Sequence, residues 1–251
     1  MRVLVISDIH ANLEALEACK AAFPAYDRIA NLGDVVGYGA SPNDVVEHSR
    51  ELGGLLVRGN HDRACAGLSD VNDFNPVAGY AAMWTRNELT VENRRWVAQL
   101  PVGPIKDEGI PGVIFSHGSP LDEDEYILSE GVARNSLERS PEDLTFFGHT
   151  HLQGAVALRN GVVQVLRPVY TDRKDVATFR LELQPQARYL VNPGSVGQPR
   201  DTDWRAAFAM YDSDDSSITF HRVPYDVESA QHRIVSAGLP ERLATRLREG
   251  R

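Results

Sequence analysis

Val3-Leu4-Val5-Ile6-Ser7-Asp8-Ile9-His10 holds four apolar residues that run almost directly into a carboxylate and an imidazole. An apolar run that stops at polar, metal-capable side chains reads as a buried strand whose functional groups lie just past its carboxyl end. That is where open α/β sheets place their ligands. Outward from this stretch the pattern returns four times. Ile29-Ala30-Asn31-Leu32 precedes Gly33-Asp34, and Leu55-Leu56-Val57 precedes Gly59-Asn60-His61-Asp62. Val113-Ile114-Phe115 precedes Ser116-His117-Gly118, and Thr145-Phe146-Phe147 precedes Gly148-His149-Thr150-His151. Each block alone is a weak signal, but five in order carry weight. Five of the eight histidines fall inside them, so a shared metal site is favoured over eight unrelated histidines; His48, His221 and His232 are read as structural or solvated.

The elements between the blocks define an α/β class. Strand 2–6, helix 12–22, strand 28–32, helix 42–52 and strand 55–58 make two βα units, which implies a sheet with parallel members. Ser41-Pro42 offers a cap and a proline at the first helical position, and Asn12 is read as a cap before a substrate contact. Residues 76–99 look helical and aromatic, with an interruption near Leu89-Thr90-Val91. The segment at about 70–100 follows a site block and is a candidate lid, although Tyr80 and Trp84 at i, i+4 are explained by packing alone. Strands resume at 112–116 and 144–147. The stretch between them is read as mostly loop with one helix, and its acidic run Asp122-Glu123-Asp124-Glu125 as solvated. After His151 the pattern turns strand-rich, over 154–158, 162–167, 176–183, 188–191, 205–211 and 217–223, with Asn160-Gly161 marking a hairpin. Helices over 226–237 and 240–249 close the chain.

Composition narrows the function classes. At 251 residues the chain is read as a single domain over 1–251, since one α/β core reaches this size. Hydrophobic residues at 42% and charged residues at 24% argue for a packed globular core. A net charge of -9 argues against nucleic acid as partner, while bound divalent ions reverse the field locally and draw phosphate. Two cysteines, Cys19 and Cys65, cannot build a disulfide framework, and Cys65 is read as a packed residue. No run of about 18 apolar residues occurs, so the expectation is a cytoplasmic protein with neither export nor membrane insertion. Oligomeric state is left open.

The five blocks, in this order over Asp8 to His151 and followed by Asn192-Pro193-Gly194-Ser195, resemble the calcineurin-like metallophosphoesterases, in particular the small bacterial and archaeal phosphoesterase branch. The resemblance implies a four-layer αββα sandwich of two mixed β-sheets flanked by helices. It also implies a metal-dependent phosphoesterase, phosphatase or phosphodiesterase, acting on a small-molecule phosphate ester. By resemblance Asp8, His10 and His151 hold one divalent ion, and Asn60, His117 and His149 the other. Asp34 is shared, with one oxygen on each ion. A mixed O/N set without thiolate favours Mn, Fe or Zn over Ca without choosing among them, and the ions expected are Mn first, with Fe, Zn or Ni as alternatives. Two such ions generate a nucleophile from water and neutralise phosphoryl charge, so no protein nucleophile is expected.

In the family the histidine beside the ligand Asn60, here His61, donates a proton to the leaving group or stabilises the transition state. Where the protein-phosphatase branch has Gly-Asp-x-x-Asp-Arg-Gly, this chain has Gly33-Asp34-Val35-Val36-Gly37-Tyr38-Gly39. Gly37 replaces the carboxylate that orients the catalytic histidine and Tyr38 replaces a phosphate-gripping arginine, which argues against protein phosphatase activity. Asp62 is then the candidate orienting group. Asn60, Arg58, Arg63 and Arg200 are candidates for substrate contact, because arginine's fork suits phosphate oxygens. Asn192 is read as supporting the ligands from behind. Two rival readings are a non-catalytic protein-interaction scaffold of the same fold and a nuclease of the superfamily.

Overall fold

The computed structural model describes residues 1–72 and 74–251. In chain order its elements are β1 (Arg2–Ile6), α1 (Leu13–Ala22), β2 (Arg28–Asn31), α2 (Pro42–Leu52), β3 (Leu55–Leu56), α3 (Asn60–Ala66), α4 (Pro76–Glu88), α5 (Val91–Ala98), β4 (Val113–Phe115), α6 (Glu130–Arg139), β5 (Leu144–Phe146), β6 (Gly154–Arg159), β7 (Val162–Leu166), β8 (Ala177–Glu182), β9 (Arg188–Asn192), β10 (Ala206–Asp212), β11 (Ser217–Val223), α7 (Val227–Ser236) and α8 (Glu241–Glu249).

Local chemistry sets most of these boundaries. Asn12 accepts from the Ala15 amide at 3.2 Å and starts α1. Asn75 caps α4 in the same way, with Pro76 at its first position. Thr90 caps α5, so the break near 89–91 is the start of a new helix. Ser41, expected to cap α2, makes no such bond, and Pro42 alone marks that start. Asn160 and Gly161 both have positive φ, as a two-residue hairpin joining β6 to β7 requires. One element escapes the sequence reading. The Gly59-Asn60-His61-Asp62 block is not only a loop, because Asn60 opens helix α3.

The strands form two mixed sheets, ordered β3-β2-β1-β10-β11-β8 and β4-β5-β9-β6-β7. In the first, β1, β2 and β3 run parallel while β10 lies antiparallel to β1, pairing Arg2 with Asp212 and Val5 with Ala209. In the second, β4, β5 and β9 are parallel, β6 runs against them, and β7, antiparallel to β6, runs with them again.

Alternation along β1 shows the layering. Val3 and Val5 meet Phe115, Phe146 and Val191 of the other sheet, in the interior between the two. Leu4 and Ile6 face a helical layer with Leu16, Val45, Ile234 and Leu247. Leu190, on the outer face of the second sheet, packs on Ala133 and Leu137 of α6. The result is the αββα sandwich. Helices α4 and α5 bury Ala78, Ala81, Ala82 and Val97 in the large helical cluster, and Phe74 just before α4 packs beside it. Among the described residues no helix is long and apolar enough to cross a membrane.

Candidate metal centre

The carboxyl ends of β1 to β5 converge, and the loops leaving them are bonded to one another. Asp8 N donates to Gly33 O at 2.9 Å, His10 N to Asp34 O at 2.9 Å and Gly148 N to His117 O at 2.8 Å. Asp8, His10, Asp34, His149 and His151 all have positive φ, between 49° and 63°. That region costs an L-residue roughly 1–2 kcal/mol, and such strain persists where surroundings over-determine it, as at ligand sites. The motif glycines allow the close approach. A Cβ on Gly59 would lie 2.0 Å from Asp34 Oδ1, and one on Gly148 2.1 Å from Ser7 Oγ. The Asn192 to Ser195 segment ties the loops from behind. Asn192 Nδ2 donates to Gly148 O at 2.8 Å and Thr150 Oγ1 at 3.0 Å, and Ser195 Oγ to Asp8 O at 2.7 Å.

Four buried ligand candidates make the first cluster: Asp8, His10, Asp34 and His151. His10 Nδ1 lies 3.2 Å from Val36 O, and His151 Nδ1 lies 2.6 Å from Gln198 O. A carbonyl oxygen only accepts, so both Nδ1 atoms carry the proton and both Nε2 atoms present bare lone pairs. Those two Nε2 atoms are 3.1 Å apart. Asp8 Oδ1 lies 3.2 Å from His151 Nε2, and Asp34 Oδ2 lies 3.6 Å from His10 Nε2. Four electron-rich atoms converge with no donor among them, an arrangement that fits a cation. Burial pushes both imidazoles below their ordinary pKa, which keeps them neutral and ligating.

The second cluster comprises Asp34, His117 and His149, with Asn60 beside it. His117 Nε2 is 3.1 Å from His149 Nδ1, 3.3 Å from Asn60 Oδ1 and 3.4 Å from Asp34 Oδ2. His117 Nδ1 faces Leu32 O at 2.9 Å and His149 Nε2 faces Asp124 O at 3.1 Å, which fixes the ring orientations. Burial alone lowers an imidazole's pKa, but here the charges of Asp34 and Asp8 override it and push His117 up to about 10. The cluster thus favours positive charge. Burial and the His117 charge push His149 down to about 3. All seven sequence-derived ligands are therefore brought together. Asp34 belongs to both clusters, but through Oδ2 alone; Oδ1 accepts from His61 N at 2.9 Å.

The His61 ring stands over this pair, 4.9 Å from His10, 4.3 Å from Tyr38 and 4.8 Å from Phe74. Burial pushes it down to about 4. Asp62 does not orient it. Its two oxygens accept from Gly59 N at 3.0 Å and Val36 N at 3.1 Å, so Asp62 closes the first turn of α3, and His61 Nδ1 has no partner among the described residues. Nor does a residue at 37 have room to help, since a Cβ there would lie 2.6 Å from His61 Nδ1. The imidazole fills the space that an orienting carboxylate would need.

The three arginines divide. Arg58 donates to both oxygens of Glu123 at 3.1 Å, and Arg63 pairs with Glu123 and with Asp124. Glu123 and Asp124 of the acidic run thus form a clasp beside the site, while Asp122 stays exposed to solvent. Arg200 remains without a carboxylate among the described residues; it donates to Gln198 Oε1 at 3.1 Å and lies over the Tyr38 ring at 5.8 Å. Sequence reasoning also missed Tyr126, which stacks on His149 with centroids 3.7 Å apart. Its only linear signal is its place next to the acidic run.

Fold and site together define an α/β sandwich that gathers histidine and carboxylate ligands where its strands end. The chain belongs to the calcineurin-like phosphoesterase superfamily, whose domain model matches residues 1–216. It is similar to a metallophosphoesterase from Sphaerobacter thermophilus, with 39% identity over 100% of this chain and 99% of that one, and a TM-score of 0.83. An uncharacterized protein of Methanocaldococcus jannaschii is 37% identical over 99% of this chain and 98% of its own length. A hypothetical protein of Pyrococcus horikoshii OT3, at 21% identity and a TM-score of 0.77, covers 100% of this chain and 98% of its own and shares the fold. The family's hydrolases act on phosphate esters with divalent metals, and this chain carries side chains able to bind them.

Proposed function

We propose that this protein hydrolyses small-molecule phosphate esters at a dinuclear centre of divalent ions, Mn first among them. Asp8, His10 and His151 would hold one ion, Asn60, His117 and His149 the other, and Asp34 would be shared by both. The observation that carries this reading is the pair of imidazole lone pairs at His10 and His151, 3.1 Å apart and backed by two carboxylates. When bound, two such ions supply Lewis acidity and lower the pKa of water towards neutrality.

The protein's own groups do the rest. Carbonyls of Val36, Leu32, Asp124 and Gln198 fix the four imidazole orientations. Asn60 and Arg200 would contact the phosphate, whereas Arg58 and Arg63 are engaged by Glu123 and Asp124. His61 supplies the proton for the leaving oxygen. Its ring is neutral in the buried site, and the negative charge of an arriving phosphate raises its pKa where the proton is needed. A cavity of about 360 Å³ walled by Asn60, His61, Phe74, Tyr126 and His149 gives room for a small ester.

The test is elemental analysis of the purified protein joined to turnover of p-nitrophenyl phosphate, its bis ester and cyclic nucleotides with Mn²⁺. About two ions per chain and metal-dependent hydrolysis support the reading. A metal-free protein inert to reconstitution points to the scaffold reading instead.

A further inference from the structure

Two guanidinium groups beside the metal centre lack the side-chain carboxylate that Arg58 and Arg63 have. Arg200 and Arg246 both lie against the Tyr38 ring, their Cζ atoms 5.8 and 5.6 Å from its centroid. Arg200 reaches Gln198 Oε1 at 3.1 Å and Tyr38 Oη at 3.5 Å, and its buried Nε has no partner among the described residues. Arg246, on α8, donates through Nε to the main-chain oxygen of Arg251. No Asp or Glu side chain among the described residues pairs with either. Burial and the charge of Arg200 pull the Arg246 guanidinium down from its ordinary pKa. Like charges held close and partly dehydrated are costly unless an anion completes the group. The aromatic face between them offsets only a part.

The cavities show where such an anion would lie. Asn75 walls both the hollow beside His61 and a second hollow of about 650 Å³ lined by Arg242, Arg246 and Arg251. The one carboxylate in that second wall, Glu249, lies 3.9 Å from Arg251. Tyr38 is the step between the two regions. Its ring centroid is 4.7 Å from that of the ligand candidate His10.

We propose that Arg246, beside Arg200 at the Tyr38 ring, forms a second anion subsite next to the one Arg200 shares with Asn60, and that the preferred substrate carries a second phosphate beyond the scissile one. This rests on the phosphoesterase reading above and narrows its substrate class. The second phosphate can be esterified at another carbon or joined as an anhydride, since both present the oxygens that arginine grips.

The metal-loaded full chain is assayed on two matched pairs, a hexose bisphosphate against its monophosphate and a nucleoside diphosphate against its monophosphate. In one pair the doubly phosphorylated member is expected to show about tenfold or more higher kcat/KM. Arg246→Gln should reduce that ratio towards one, through KM rather than kcat, and Arg246→Lys should restore a part. The pair that responds identifies the linkage. Equal kcat/KM within both pairs, or an equal loss on both members in Arg246→Gln, overturns the subsite. Absence of turnover on every compound overturns the phosphoesterase reading instead. Calorimetric titration of the same pairs then decides the subsite: tighter binding of a doubly phosphorylated member, lost in Arg246→Gln, sustains it, and equal affinities overturn it.

Discussion

Two clusters of buried charge meet near the Asn192 to Arg205 segment, and they are resolved in opposite ways. Around Gln153 the two fully buried cations, Arg205 and Arg222, find acceptors. Arg205, fully buried, donates to both oxygens of Asp203 at 3.0 and 2.6 Å and to Asp175 O at 2.6 Å. Arg222 donates to Gln153 Oε1 at 3.0 Å and Arg205 O at 3.1 Å, and pairs with Asp201. At the metal centre acceptors face acceptors. His10 and His151 turn lone pairs on each other beside Asp8 and Asp34, and five of the ligands hold strained backbone. Burial of charge does not by itself mark function. The balance of donors and acceptors does, because a matched network finds its counter-charges within the protein and an acceptor-only one asks for a cation.

That contrast can be broken or sharpened by experiment. Asp34→Asn puts an amide donor into the acceptor-only cluster. Metal content should fall and turnover should drop about 10⁴-fold, since each ion is worth several kcal/mol to the transition state and about 1.4 kcal/mol is tenfold. Unchanged far-ultraviolet circular dichroism would show the fold retained. A variant that kept its metal and its rate would dissolve the distinction. His61→Ala leaves the His61 amide that fixes Asp34 Oδ1, so metal content should persist while kcat falls about 10³-fold. Metal loss there would place His61 among the ligands.

The matched network should respond in stability. Arg205→Met strands the Asp203 carboxylate, and chemical denaturation should show a loss of about 3 kcal/mol with bound metal unchanged. A stable variant with altered metal content would join the two clusters into one. The smallest effect is a pH dependence at the network's rim. His221 stacks on Phe208 at 4.4 Å and its carbonyl accepts from Gln153. Burial lowers its pKa from 6.5 to about 4. The unfolded chain therefore binds the proton more tightly, so the stability His221 contributes is present above pH 6.5 and is lost as pH falls through about 4. Removing that titration with His221→Phe should flatten the acid side of the melting-temperature profile by roughly 2 kcal/mol. Superimposable profiles would show that burial there is not felt as proton affinity.

Most elements were legible because their causes are local. Short apolar runs, Asn12 as a cap, Pro42 and Pro76 at helix starts and Asn160-Gly161 at a hairpin act within a few residues. Helix α3 was hidden because its first turn is closed by Asp62, a residue that looked catalytic. The acidic clasp was hidden because Glu123 looks the same in one dimension whether it meets water or Arg58 and Arg63, some sixty residues earlier.

By itself the sequence determined which side chains end the strands, and therefore the ligand chemistry available, because strand ends and residue types are written in neighbouring letters. Only the tertiary structure decided that one oxygen of Asp34 serves both clusters, that Arg58 and Arg63 are neutralised, and that Arg200 and Arg246 share Tyr38. Each of these depends on distances between segments remote in the chain. Sheet pairing sets such distances, as when β10 lies against β1 with Asp212 opposite Arg2, and no local preference records that pairing.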